Sequence, residues 1–112
     1  MPQAMRGRWH KDDLGRAPTA ADCDPERDAT RDYNRLINIR EDGYGYFETG
    51  GRIMTVHART DMMIDATFDT TYADTPTSAR KDFALQPGGT LAVSDGDRNG
   101  QPSVTRYRAC PE

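Results

Sequence analysis

Met62-Met63-Ile64-Asp65-Ala66-Thr67-Phe68-Asp69 is the stretch that decides the fold. Met62, Ile64, Ala66 and Phe68 alternate with Met63, Asp65, Thr67 and Asp69, so one face is apolar and the other mostly polar. Successive side chains of an extended strand point to opposite faces, whereas a helix repeats every ~3.6 residues and would scatter this pattern around its axis. The segment is therefore a half-buried strand. Its neighbours repeat the theme. Upstream lie Arg6–His10, then Tyr33–Ile39 with Tyr33, Ile37 and Ile39 on one face, then Tyr44–Thr49 and Ile53–Ala58. Downstream lie Arg80–Gln86, Thr90–Ser94 and Pro102–Ala109. Turn residues separate them: Glu41-Asp42-Gly43, Gly50-Gly51 as a two-residue hairpin, Arg59-Thr60-Asp61, Pro87-Gly88-Gly89 and Asp95–Gly100. Eight short strands joined mostly by hairpins predict one all-β domain over residues 1–112, an eight-stranded antiparallel up-and-down barrel.

Composition agrees with sharply alternating strands. Only 35% of the residues are hydrophobic while 29% are charged, yet one Trp, five Tyr and three Phe argue against a disordered chain. The net charge of −3 is spread without a basic stripe, which excludes the electrostatic footprint of a nucleic-acid binder. The longest apolar run, Met62-Met63-Ile64, is far too short for a membrane-spanning helix. No leader pattern opens the chain, and Met1-Pro2-Gln3-Ala4-Met5 reads either as a native start or as an initiator methionine on the mature part of a periplasmic or secreted protein.

That compartment follows from the cysteines. Cys23 and Cys110 have neither metal nor redox spacing, and a bridge between them closes most of the chain. On the chain-entropy view such a bridge contributes ~4–5 kcal/mol. The long gap over residues 11–32 carries no strand pattern. It holds four basic residues against seven acidic ones. Asp24-Pro25 predicts an N-cap and first helical position, hence a short helix over 25–31. Joining the first two strands, the gap is expected to lie across one end of the barrel and to form the partner-contacting surface.

Gly7-Arg8-Trp9 at the start of the first strand is similar to the G-x-W signature of lipocalins, members of the calycin superfamily. The resemblance implies a barrel-closing set of Gly7 and Trp9 with an arginine from the last strand, Arg106 or Arg108, stacked on the indole. Such a stack is worth ~0.5–2 kcal/mol. The chain is much shorter than an ordinary lipocalin and lacks a C-terminal helix. In size it resembles small exported bacterial barrels, a group that includes inhibitors of lysozymes and secreted proteases.

Chemistry-bearing motifs are sparse. Asp95-Gly96-Asp97-Arg98-Asn99-Gly100 matches the first half of a calcium loop, with Asp95, Asp97 and Asn99 at ligand positions. Arg106 stands where the bidentate glutamate belongs, and a polar hairpin turn explains the same residues. His10 and His57 have no second ligand at zinc spacing. Ser78, Ser94 and Ser103 lack the context of a nucleophile. The carboxylate pairs Asp12-Asp13 and Asp65 with Asp69 read as solvated faces. Tyr44, Tyr46, Phe47, Met54 and Met62, together with Met63, either line a ligand cavity or fill the core. The expectation is a non-enzymatic exported binding protein without a cofactor, taking a small apolar molecule or a protein partner. The alternative is an inhibitor of a hydrolase, a protease or a lysozyme, acting through loops or the arm Met1–Arg6. Interior volume decides between ligand carriage and surface recognition.

Overall fold

In the computed structural model, which describes residues 1–24, 35–46, 49–71, 74–95 and 103–111, the deciding stretch is β5 (Met63–Asp69). Ile64, Ala66 and Phe68 are fully buried on its inner face. Around it lie β1 (Gly7–Lys11), β2 (Leu36–Ile39), β3 (Gly43–Gly45), β4 (Gly50–Thr60), β6 (Ser78–Gln86), β7 (Thr90–Asp95) and β8 (Val104–Ala109). Each strand pairs antiparallel with the next, and β8 returns to β1 through Trp9 opposite Ala109 and His10 opposite Arg108. The sheet is a closed eight-stranded up-and-down barrel, which leaves the meander no terminal strand unpaired.

The core is aromatic at its centre. The Tyr44 ring meets Phe68 edge to face at 5.0 Å between centroids and Phe83 at 5.5 Å, while Phe68 and Phe83 lie 5.7 Å apart. Ile37, Ile39, Leu91 and Tyr107 complete the layer from β2, β7 and β8. The end at the start of β1 is stoppered by the chain's own beginning. Residues Gln3–Met5 form a 3-10 turn, the only helical element among the described residues. Met1, Pro2 and Met5 are buried, and the Met1 ammonium donates to the Glu41 carbonyl in the β2–β3 turn at 2.6 Å.

Three expectations are corrected. Gly50-Gly51 is not a hairpin turn: both residues lie in β4, opposite Gly45 and Tyr44, and neither has positive φ. The reason is space. A Cβ on Gly51 would stand 2.7 Å from the Tyr44 ring and 2.9 Å from the Phe68 Cβ, so the glycine is what lets that ring lie across β4. The strand expected from Tyr44 to Thr49 accordingly shortens to Gly43–Gly45. Next, Arg59 and Thr60 belong to β4, and Met62 sits in the turn rather than in the strand. Finally, residues 12–24 do not cross a barrel mouth. They run back along the outside of β1, where Arg8 donates through Nη1 to the Cys23 carbonyl at 3.1 Å and Asp12 pairs with Arg108 at 2.8 Å. The helix expected over 25–31 and the inward position of Tyr33 fall outside the described residues.

The segment 12–24 carries its own lock. Asp22 accepts from Arg16 at 2.7 Å and from the Thr19 amide and hydroxyl at 2.8 and 2.9 Å. Those donors, Arg16 first, hold its carboxyl well below the usual range. Arg35 clamps the carbonyls of Asp22 and Asp24 at 2.6 and 2.9 Å. The Cys23–Cys110 disulfide, spanning 87 residues, then ties the segment to the end of β8.

Gly51→Ala is expected to destabilise the barrel by about 1–3 kcal/mol through overpacking against Tyr44 and Phe68. Urea denaturation followed by Trp9 fluorescence measures this; an unchanged midpoint contradicts the packing argument.

Candidate functional site

Trp9 is buried as expected, but neither arginine of β8 stacks on it. Its Nε1–H donates to the Met5 carbonyl at 2.8 Å, so the indole closes the barrel against the N-terminal turn. Tyr107 is the inward residue of β8, which turns its neighbours Arg106 and Arg108 to the outer face. Arg108 is engaged there by Asp12. Among the described residues a cation–π contact is made instead by Lys81 and Tyr44. Lys81, on the inner face of β6 two residues before Phe83, places its ammonium 5.6 Å from the Tyr44 ring centroid. It also forms an ion pair with Asp95 across the β6–β7 ladder. Burial pushes the Tyr44 hydroxyl well above the ordinary tyrosine range.

The expected cavity residues disperse. Tyr44 and Tyr46 meet edge to face at 5.7 Å, Tyr44 in the core and Tyr46 half-buried beside it. Phe47 lies outside the described residues. Met54 and Met62 are 60% and 52% exposed, on the outside of the barrel. With Phe68, Phe83, Ile64, Leu91 and Tyr107 all buried to completeness or nearly so, the interior around them is packed by side chains of the described residues.

Of the partial calcium loop, Asp97 and Asn99 lie outside the described residues, and the Asp95 carboxylate is paired with Lys81. Among the described residues no group of three or more His, Cys, Asp or Glu is placed to hold a metal ion. His10 is buried, its Nδ1–H donating to the Lys11 carbonyl at 2.7 Å. His57 shares a 2.7 Å hydrogen bond with the Thr67 hydroxyl. No histidine is hydrogen-bonded to a serine among the described residues. Ser78 and Ser94 stand opposite Asp69 and Asp82 in the ladders, and Ser103 lies just before β8.

The carboxylate that Asp65 faces is Asp82, directly across the β5–β6 ladder, not Asp69. Arg80 binds Asp65 in a fork, Nε to Oδ1 at 3.0 Å and Nη2 to Oδ2 at 2.7 Å, which holds that carboxyl below its usual range. Asp82 is pushed the other way by desolvation and by its neighbour Asp65. Asp69 is turned to the Thr71 amide and hydroxyl instead.

The feature that sequence spacing missed is on β4. This strand pairs with β3 only through Gly50–Arg52, and Asp42 extends the contact to the Ile53 amide at 2.8 Å. From Met54 to Thr60 its second edge has no strand neighbour among the described residues. Register shifts between Ile53 and Thr55 and between Val56 and Ala58 show bulges at Met54 and His57. Among the described residues Met54, Val56 and Met62, all on the β4–β5 hairpin, are three of the four large exposed apolar side chains; Val104 is the fourth.

No protein-family model, curated protein or solved structure matches this chain. The closed barrel is compatible with a lipocalin-like architecture on topology alone.

Asp82→Asn removes a like charge opposite Asp65 and is expected to raise stability at neutral pH by about 0.2–1 kcal/mol. The sign follows from linkage: a carboxyl with a raised folded-state pKa weakens the fold once ionised, and that penalty fades as pH falls through the raised value. Stability curves of both proteins should therefore converge on acidification from neutral pH. A destabilised variant at neutral pH contradicts the assignment.

Proposed function

We propose that this chain is a non-enzymatic binding protein of an exported compartment, a small calycin-like barrel that recognises a protein partner with its outer surface. The packed interior carries this reading. Tyr44, Phe68 and Phe83 occupy the volume in which a lipocalin-like carrier would hold its ligand, and Trp9 with Met5 stoppers one end. Recognition then falls to the exterior, where the exposed apolar side chains concentrate on the β4–β5 hairpin. The Cys23–Cys110 bond supports the oxidising compartment. A hydrolase inhibitor working through a free N-terminal arm has less support, because Met1, Pro2 and Met5 are buried in the barrel end.

Two measurements test the reading. Titration with 1-anilinonaphthalene-8-sulfonate and with a long-chain fatty acid, followed by Trp9 fluorescence and calorimetry, should show no saturable binding; a stoichiometric, competable site would replace surface recognition by ligand carriage. Photo-crosslinking amino acids placed at Met54 and Val56 in the exporting host should trap one discrete protein, while the same group at Val104 should not. Equal trapping at all three positions, or none, removes the hairpin from the site.

A further inference from the structure

A second surface lies at the stoppered end, where the N-terminal turn and Arg6 also adjoin Arg59 and Asp61 at the tip of the hairpin. A cleft of about 750 Å³ opens between the N-terminal turn, the start of β1, the disulfide and the end of β8. Arg6 and Arg8 both line it, with Asn38 from β2 and a floor of small apolar groups that includes Ala4, Ala109 and Pro111. Arg16, Arg52, Arg80 and Arg108 each have a carboxylate partner. Arg6 and Arg8 have none among the described residues. Backbone carbonyls hold them instead: Arg6 Nε donates to Met1 at 3.2 Å and Arg8 Nη1 to Cys23 at 3.1 Å.

Each of those bonds uses a single donor of a planar group that has several, so most of each guanidinium's N–H groups stay available. The carbonyl anchors also restrain both side chains before any ligand arrives, which lowers the ordering cost of binding. Gly7 stands between the two arginines with φ +124°, a conformation that an L side chain rarely adopts, and the space where a Cβ would be is open. A ligand can therefore approach the backbone between the two cations. The chain as a whole is negative, at −3, so a cleft lined by two arginines and one acid is a local reversal of sign.

We propose that this cleft binds a carboxylate group carried on an apolar body. Among the described residues of the lining, two arginines against one acid, Asp24, leave one positive charge, which matches a monoanion better than a dianionic phosphate. The planar fork of a guanidinium fits a carboxylate, and the alanine and proline floor accepts the attached apolar part. Such a group reaches the cleft either as a free organic acid or as the C-terminus of a peptide. The lining of the cleft includes neither Met54 nor Val56, so the two readings are tested by different residues.

The test is ¹H–¹⁵N NMR of the oxidised protein titrated with four probes: benzoate, a short apolar peptide with a free C-terminus, the same peptide amidated, and inorganic phosphate. The expected result is saturable shifts at the Gly7 amide, the Asn38 side chain and the Arg6 and Arg8 Nε–H for carboxylate probes only. Binding by both carboxylates assigns a free acid, and binding by the peptide alone assigns a C-terminus. Arg6→Gln and Arg8→Gln should each weaken the better probe at least tenfold, Asp24→Asn should strengthen it, and Arg106→Gln should leave it unchanged. If Arg8→Gln loosens the 12–24 segment, as its thermal transition would reveal, Arg6→Gln alone decides. Absent shifts, equal shifts for the amidated peptide, phosphate binding as tightly as carboxylate, or indifference to the arginine variants would each overturn the proposal.

Discussion

The Tyr44 ring lies where the inner faces of four strands converge, and it fits because Gly51, opposite it in the ladder, has no side chain. Phe68 and Phe83 pack on that ring, Tyr46 on its edge, and the Lys81 ammonium over its face. An eight-stranded barrel is only wide enough for its own side chains to fill. With three aromatic rings in one layer, little room is left for a ligand among them. The same ring orders the charge at its end of the core: Lys81 enters the wall among apolar neighbours because Tyr44 offers a π-face and Asp95 a counter-charge. Tyr44 thus links core density to the polar rim.

The opposite end is closed by different means. Met5 fills it from the N-terminal turn and Trp9 fastens the turn with one buried hydrogen bond. On the outer wall of β1 the acidic segment is held by carbonyls accepting from Arg8 and Arg35, by the Asp12–Arg108 pair and by the disulfide. Here the arginines act on backbone oxygens and so order irregular chain that has no sheet partner for those groups.

Much of the barrel was legible because its signal is local. Alternation along β5 names the buried residues Ile64, Ala66 and Phe68, and eight runs with turn punctuation give strand number and order. The cysteines' pairing followed from their isolation. Other features were misread where a local signal has two physical meanings. A glycine pair marks a hairpin or a close approach, and only the position of Tyr44 across the ladder separates them. Arg106 and Arg108 were assigned to Trp9 by resemblance, although Tyr107 between them already implied, by alternation, that both point outward. Lys81 stands on the inner face two positions from Phe83, a place that its charge does not announce. The cleft draws on four separated parts of the chain, so no spacing within any one of them announces it.

The free stretch of β4 follows from barrel geometry joined to the shortness of β3. Closure requires stagger between strands, and a three-residue β3 leaves the lower part of the eleven-residue β4 beyond its reach. An unpaired edge of that kind invites another strand, and proteins blunt such edges with bulges and charge. Both are present: bulges at Met54 and His57, and Arg59 near the far end. A partner strand laid along β4 would lose its ladder at each bulge after only a few bonds. The bulges that interrupt the ladder leave Met54 and Val56 exposed all the same. Any partner that uses this face therefore reads side chains rather than backbone, and shape and apolar fit decide its identity more than hydrogen-bond register does.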